Sequence, residues 1–235
     1  MMTLTIATVY LLPFGPPAGQ GYPNPTLLIE PEDLAKSADR YRVLDVRAKP
    51  AYDAGHVPRA VLALSGPWSR AVTEGKADAA FWKRELAAVG VTPDRPVVVV
   101  SDDIRNAARA WWLLSLAGVP DVRLLNGGWD AYTAAKLPVG KEPSTAKAPP
   151  HDWKPAHGRH ATRADAAGLA DKQRPGRVID SRSQAEYDAG HIPGAVRLEW
   201  SELIDPQTKK FKPATELAKL LKERNIDPAE ESCSY

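Results

Sequence analysis

The chain carries one thiol, Cys233, and two sets of groups whose spacing could support chemistry near it. Asp45 and Arg47 form an Asp-x-Arg pair that recurs as Asp180 and Arg182, and His56 and His191 each sit inside Gly-His-x-Pro. A thiolate is a soft nucleophile able to accept sulfur and hand it on, and near neutral pH it needs positive surroundings to form. An Asp–Arg pair near a strand end more often fixes a turn than binds substrate, so both pairs read first as braces beneath a pocket. The proline in each Gly-His-x-Pro also fixes a turn, and both histidines therefore read as structural rather than as general bases. With a single cysteine the chain can form neither an internal disulfide nor a cysteine-based zinc cage.

These groups are set out by an internal repeat. Arg42 to Val61 recurs as Arg177 to Val196, 135 residues on, with twelve of twenty positions identical. The shift persists without net insertion, since Leu34 maps to Leu169, Leu86 to Leu221 and Pro93 to Pro228. Within the first copy, Arg42 to Val46 reads as a short strand, and Ala79 to Val89 shows Phe81, Trp82, Leu86 and Val89 at helical spacing. The run Pro96 to Ser101 is apolar on both faces and reads as an interior parallel strand. A helix ending at Gly118 and a strand over Asp121 to Leu125 complete the alternation, which implies an α/β layered fold with ligands at the carboxyl ends of the strands. The expected organisation is an N-terminal arm over 1–26, a first copy over 27–139, a proline-rich connector over 140–160 and a second copy over 161–235. The five prolines Pro138, Pro143, Pro149, Pro150 and Pro155 favour an extended connector.

Composition narrows the classes further. Lys and Arg number 31 against 29 Asp and Glu, a net charge of +2 with the signs interspersed, which excludes an obvious nucleic-acid binder. At 43% hydrophobic and 26% charged the chain has the makeup of an ordinary globular protein. The apolar run from Leu4 to Phe14 is too short to span a bilayer, which needs about 20 apolar residues, so no membrane span is expected. That run also lacks a basic flank, so the expected location is cytoplasmic, or periplasmic if residues 1–20 are a degenerate export signal.

Asp-x-Arg, then Tyr-Asp-Ala-Gly-His-[Val/Ile]-Pro, a buried strand, Ala-Ala-Arg-Ala-Trp-Trp and Asn-Gly-Gly-Trp together resemble the rhodanese homology domain. The tandem arrangement is similar to the two-domain thiosulfate and 3-mercaptopyruvate sulfurtransferases. The resemblance implies a five-stranded parallel sheet flanked by helices in each domain, with the second domain catalytic and the first silent. It implies a small-molecule sulfur donor, a cyanide or thiol acceptor, no cofactor, and a cysteine that holds sulfur as a persulfide. It also implies a loop of the form Cys-x-x-Gly-x-Arg, whose inward-facing amides lower the thiol pKa.

The register then decides which residues could do this chemistry. In copy one the nucleophile's place is taken by Ser101, followed by Asp102, Asp103, Ile104 and Arg105. Serine lacks the soft sulfur, and two carboxylates repel an anionic donor, so this site reads as degenerate. In copy two the same place is position 236, the residue after Tyr235, so the second domain is expected to be incomplete and residues 1–235 inert. Tyr235 stands where the resemblance puts an aromatic residue before the cysteine, and Cys233 maps onto Val98, in the body of a strand. Asp180, Arg182 and His191 are the expected supporting residues. Trp111, Trp112 and Trp129 read as packing residues, and Arg197 as a solvated arginine. An incomplete second sheet should expose a wide apolar face, to be covered by a complementing fragment, a dimer partner or the first domain. Two other classes stay open: a non-catalytic rhodanese pair serving as an interaction module, and an arginine-phosphate loop like that of the related cell-cycle phosphatases.

Overall fold

The structure is a computed structural model and describes residues 21–156, 160–173 and 175–235; the expectations for the arm before residue 21 lie outside them. Copy one runs β1 (Leu28–Ile29), α1 (Pro31–Ser37), β2 (Arg42–Asp45), α2 (Lys49–Ala54), β3 (Val61–Leu62), α3 (Ser65–Thr73), α4 (Ala79–Ala88), β4 (Val97–Val100), α5 (Ile104–Ala117), β5 (Val122–Leu125) and α6 (Gly128–Ala134). Copy two runs α7 (Arg163–Ala170), β6 (Arg177–Asp180), α8 (Gln184–Ala189), β7 (Val196–Arg197), α9 (Ala214–Glu223) and β8 (Ser232–Ser234).

The first sheet is parallel throughout, in the order β1-β5-β4-β2-β3. Its centre is β4, four valines with no exposed surface, because helices cover both faces of the strand. Strand side chains alternate with a period of two. Val97 and Val99 accordingly join Trp82, Leu86, Leu113 and Leu114 on one face, and Val98 and Val100 join Leu34, Val43, Tyr52 and Leu125 on the other. α5 ends at Gly118, whose left-handed φ of 96° is open to glycine at little cost and whose missing Cβ lets the Lys154 carbonyl pack against it.

The second sheet has three parallel strands in the order β7-β6-β8. The 135-residue register holds in three dimensions, since β2 pairs Val43 with Val98 and β6 pairs Val178 with Cys233. α4 and α9 begin at equivalent positions, Ala79 and Ala214. Leu34, Val43, Ala60 and Val98 of copy one become the small cluster of Leu169, Val178, Ala195 and Cys233 in copy two.

The opposite face of the second sheet is mixed rather than uniformly apolar, with Ile179 half-buried. Where copy one has Val97 and Val99, copy two has Ser232 and Ser234, both exposed and both at ease beside water. Leu217, Leu220 and Leu221 of α9 are half-buried, and the exposed large hydrophobic residues of this copy are Trp200 and Tyr235.

Residues 140–156 are extended but bound. Trp153 is buried within copy one's core, and the amides of Ala148 and Ala156 donate to the carbonyls of Ala87 and Leu116, each at 2.9 Å. The reason is Trp153, whose indole gains more by burial than by a solvated connector.

Candidate active site and its degenerate twin

Each Asp-x-Arg pair sits where the first strand of its copy ends. In copy one, Arg47 Nε donates to both Asp45 oxygens at 3.0 and 3.1 Å, Arg47 Nη2 donates to Asp45 Oδ2 at 2.6 Å, and the same nitrogen reaches the Gly55 carbonyl at 2.7 Å. Arg182 repeats this on Asp180 at 3.0, 3.2 and 2.7 Å and on the Gly190 carbonyl at 2.8 Å. A planar fork bonding a carboxylate and a turn carbonyl ties the strand end to the next helix, the bracing role the spacing suggests. The Arg182 guanidinium holds the Asp180 carboxyl down from 3.8 to about 2, against the upward push of burial, with the Arg182 amide and Tyr235 adding smaller downward pulls. Asp180 in turn raises Arg182.

The histidines repeat as closely. His56 stacks on Tyr52 at 3.9 Å and His191 on Tyr187 at 3.6 Å, and each Nδ1 lies 2.9 Å from the tyrosine's main-chain carbonyl. The tyrosine hydroxyls donate to the carbonyls of Ala60 and Ala195 at 2.7 and 2.9 Å. His56 is 1% exposed, with Nε2 3.1 Å from the Glu142 carbonyl, whereas His191 is exposed. Trp129 closes the first module by lying 4.1 Å from the Arg47 guanidinium, and Tyr235 takes a similar place 5.3 Å from Arg182 while its hydroxyl accepts from the Ile192 amide at 3.0 Å.

Cys233 lies within β8, half-buried against Val178, and not at the mouth of a loop. Its place on the pleat is that of Val98. The neighbouring Ser181 amide donates to the Tyr235 carbonyl at 3.0 Å, and the Tyr235 amide to the Ile179 carbonyl at 3.1 Å, so the pairing runs one residue beyond β8, to Tyr235.

In copy one the loop after β4 is closed by its own groups. Ser101 is 2% exposed, and its Oγ accepts from the Asp103 amide at 3.2 Å. Asp103 caps α5 by accepting from the Arg105 amide at 2.8 Å, and it also binds the Arg105 guanidinium at 2.6 Å, which lowers the Asp103 pKa and raises that of Arg105. Asp102 is exposed beside Ser101, with Oδ1 3.5 Å from the serine hydroxyl. Gly127 and Gly128, with φ of 78° and 59°, bring the Trp129 amide to the Ser101 carbonyl at 2.8 Å; a Cβ on Gly128 would overlap that carbonyl oxygen.

Copy two packs over this loop. The 3-10 turn at Trp200–Leu203 and residues Ile204, Pro206 and Lys209 face Ser101 to Arg105 across a cavity of about 310 Å³. Arg105 lies 5.0 Å from the Trp200 ring, Lys210 pairs with Glu30 at 2.7 Å, and Asn126 bridges by donating to Glu30 at 2.7 Å and accepting from the Phe211 amide at 2.9 Å. The sequence does not mark these contacts: Trp200 and Lys210 stand in no local pattern, Asn126 belongs to Asn-Gly-Gly-Trp without that motif naming its partners, and all three partners lie far away in the chain. Arg197 corrects the solvated reading: its side chain is 18% exposed and pairs with Glu199 at 3.2 Å and Glu202 at 3.1 Å. Trp111 donates to the Val122 carbonyl at 2.9 Å, and Trp112 lies edge-on to His160.

An open parallel sheet with helices on both faces, repeated in part, and an Asp–Arg–Tyr–His brace in each copy define a tandem α/β protein whose site belongs at the carboxyl ends of the strands. The chain belongs to the rhodanese family, for the model of the rhodanese-like domain matches residues 30–135 and 162–231. A thiosulfate sulfurtransferase of Azotobacter vinelandii is 31% identical, the match covering 89% of this chain and 82% of that protein. One from Corynebacterium glutamicum is 29% identical over 95% of this chain and 81% of the relative. Among solved structures, the Escherichia coli 3-mercaptopyruvate sulfotransferase SseA superposes with a TM-score of 0.67 at 23% identity, covering 88% of this chain and 87% of that one. The fold is therefore shared with SseA. Among the described residues no helix is long and apolar enough to cross a membrane.

Proposed function

We propose that this chain belongs to a sulfurtransferase that moves sulfane sulfur from thiosulfate or 3-mercaptopyruvate to cyanide or a thiol through a cysteine persulfide. The observation that carries the reading is the shared register of β4 and β8, in which Cys233 takes the place of Val98 and the nucleophile's place, that of Ser101, falls at position 236. In the reaction a thiolate attacks the outer sulfur of thiosulfate, a sulfur–sulfur bond forms, and the bond to the sulfonate sulfur breaks to release sulfite. The acceptor then attacks the outer sulfur of the persulfide and the thiolate leaves. Asp180, Arg182 and His191 act as positioning residues that hold the loops around the thiolate. Arg182 fixes the turn at Gly190, and the Tyr187–His191 stack fixes the turn that follows. Ser101, Asp102 and Arg105 have no part in the transfer, because a serine beside two carboxylates offers neither a sulfur acceptor nor an anion cradle.

Residues 1–235 by themselves are proposed to be inert, since their one thiol sits in a strand. Cyanide-dependent formation of thiocyanate from thiosulfate is the assay. No turnover is expected from residues 1–235, and turnover that Cys233→Ala abolishes would overturn the assignment. A cysteine encoded directly after Tyr235 supports the enzyme, and another residue there supports a non-catalytic pair.

A further inference from the structure

Copy one has a second concave feature, beside the carboxyl ends of β2 and β3. An open cleft of about 810 Å³ lies between the carboxyl ends of these strands, the first turns of α3, and α5. Arg70 of α3 and Arg109 of α5 both line it, with Ser69, Thr73 and Asn106 beside them. No aspartate or glutamate is among the lining residues. Of the carboxylates near in sequence, Glu74 pairs with Lys76 at 2.7 Å and Asp103 with Arg105 at 2.6 Å, while Asp102 is exposed beside Ser101. The buried Arg47 at the cleft floor is likewise neutralised by Asp45 at 2.6 Å.

Arg70 and Arg109, neither in an ion pair among the described residues, therefore bring two guanidinium groups to one concavity, Arg70 also bordering a neighbouring cleft with Glu74 and Asp78. Arg109 is steered there by donating from Nη1 to the Ser69 hydroxyl at 3.2 Å. The end of α3 adds to the field, because its cap residue Leu64 has no side-chain acceptor for the first-turn amides. Two guanidinium forks, a hydroxyl and uncapped amides match a small tetrahedral dianion with acceptors on every side, and match a neutral or cationic ligand poorly.

We propose that the cleft between α3 and α5 binds a tetrahedral oxyanion of sulfur or phosphorus through Arg70 and Arg109. Binding there requires no turnover and can be measured on residues 1–235. Residues 1–235 are titrated calorimetrically with thiosulfate, sulfate and inorganic phosphate at constant ionic strength, with chloride as the control. One saturable site is expected for the dianions, weakened about tenfold or more in Arg70→Gln/Arg109→Gln, the loss that removing two charge-assisted contacts implies. Both side chains are exposed, so thermal unfolding of the double variant should match the parent and separate lost binding from lost folding. Arg70→Lys/Arg109→Lys should recover part of the affinity by keeping the charges. Preference for thiosulfate over phosphate would assign the site to the sulfur donor, and equal affinity would assign it to tetrahedral dianions generally. Binding that the double glutamine variant leaves unchanged, or that chloride reproduces, overturns the proposal. Either result leaves the sulfur-transfer reading intact, because that reading rests on turnover, which these titrations do not measure.

Discussion

Copy one and copy two share an Asp–Arg–Tyr–His brace almost atom for atom, yet the first is sealed and the second is open. The Arg47 side chain is 2% exposed and the Arg182 side chain 34%. The difference comes from what lies on top. Trp129 and the segment through Gly140 and Glu142 cover the first brace, while among the described residues it is Tyr235 whose ring stands over the Arg182 guanidinium. Identical local sequence therefore sets geometry, and the surrounding chain sets how strongly that geometry is held.

The contrast should be sharpest in the cores. Trp82→Ala removes a 1% exposed indole and should destabilise copy one by about 3–5 kcal/mol. Leu217→Ala, at the equivalent position of the half-buried face of α9, should cost about 1 kcal/mol. Chemical denaturation read separately for each copy tests this, and equal losses would erase the distinction. The braces come next. Asp45→Ala strands the buried Arg47 and should cost about 3 kcal/mol or more, whereas Asp180→Ala should cost clearly less because water reaches Arg182. A denaturation midpoint that falls equally for both variants would show that the cover does not matter.

A smaller effect is set by pH. The Asp180 carboxyl titrates at about 2 in the folded copy against the ordinary 3.8, so its stabilising contribution is full above about 4. It is lost as the pH falls from about 4 towards 2, because the unfolded chain binds the proton first. Asp180→Asn should flatten the acid limb of copy two's stability between those values, and an unaltered limb would refute the coupling. The smallest expected difference is kinetic. β4 pairs on both sides, with β2 and β5, and β8 pairs with β6 alone among the described residues. Amides of β8 should exchange with solvent faster than those of β4, and Cys233 should react with iodoacetamide more slowly than a free thiol does.

Much of this was legible in the residues. The repeat of Arg42–Val61 at 135 residues predicted both strands β2 and β6, and the valine run at 97–100 announced a strand buried on both faces. Gly118 marked the end of α5 because only a residue without Cβ suits that φ beneath the Lys154 carbonyl. The Asp–Arg bracing was readable because both partners lie two residues apart. The contacts of Trp200 with Arg105, of Lys210 with Glu30, and of Asn126 with Phe211 were not, since each joins residues tens of positions or more apart and depends on how the copies meet. Arg197 differs from its solvated reading for a local reason: its partner Glu202, five residues on, is brought near by a 3-10 turn that no periodic pattern marks. The cleft at Arg70 and Arg109 also escaped, for it is made by two helices that are separate in sequence.

The burial of Trp153 decides where the polypeptide can be divided. A cut or a cloning boundary anywhere between Pro138 and Trp153 would leave copy one without that indole, and with it a wall of its own interior. An excised first half must therefore keep its proline-rich tail at least through Ala156, whose amide donates to the Leu116 carbonyl.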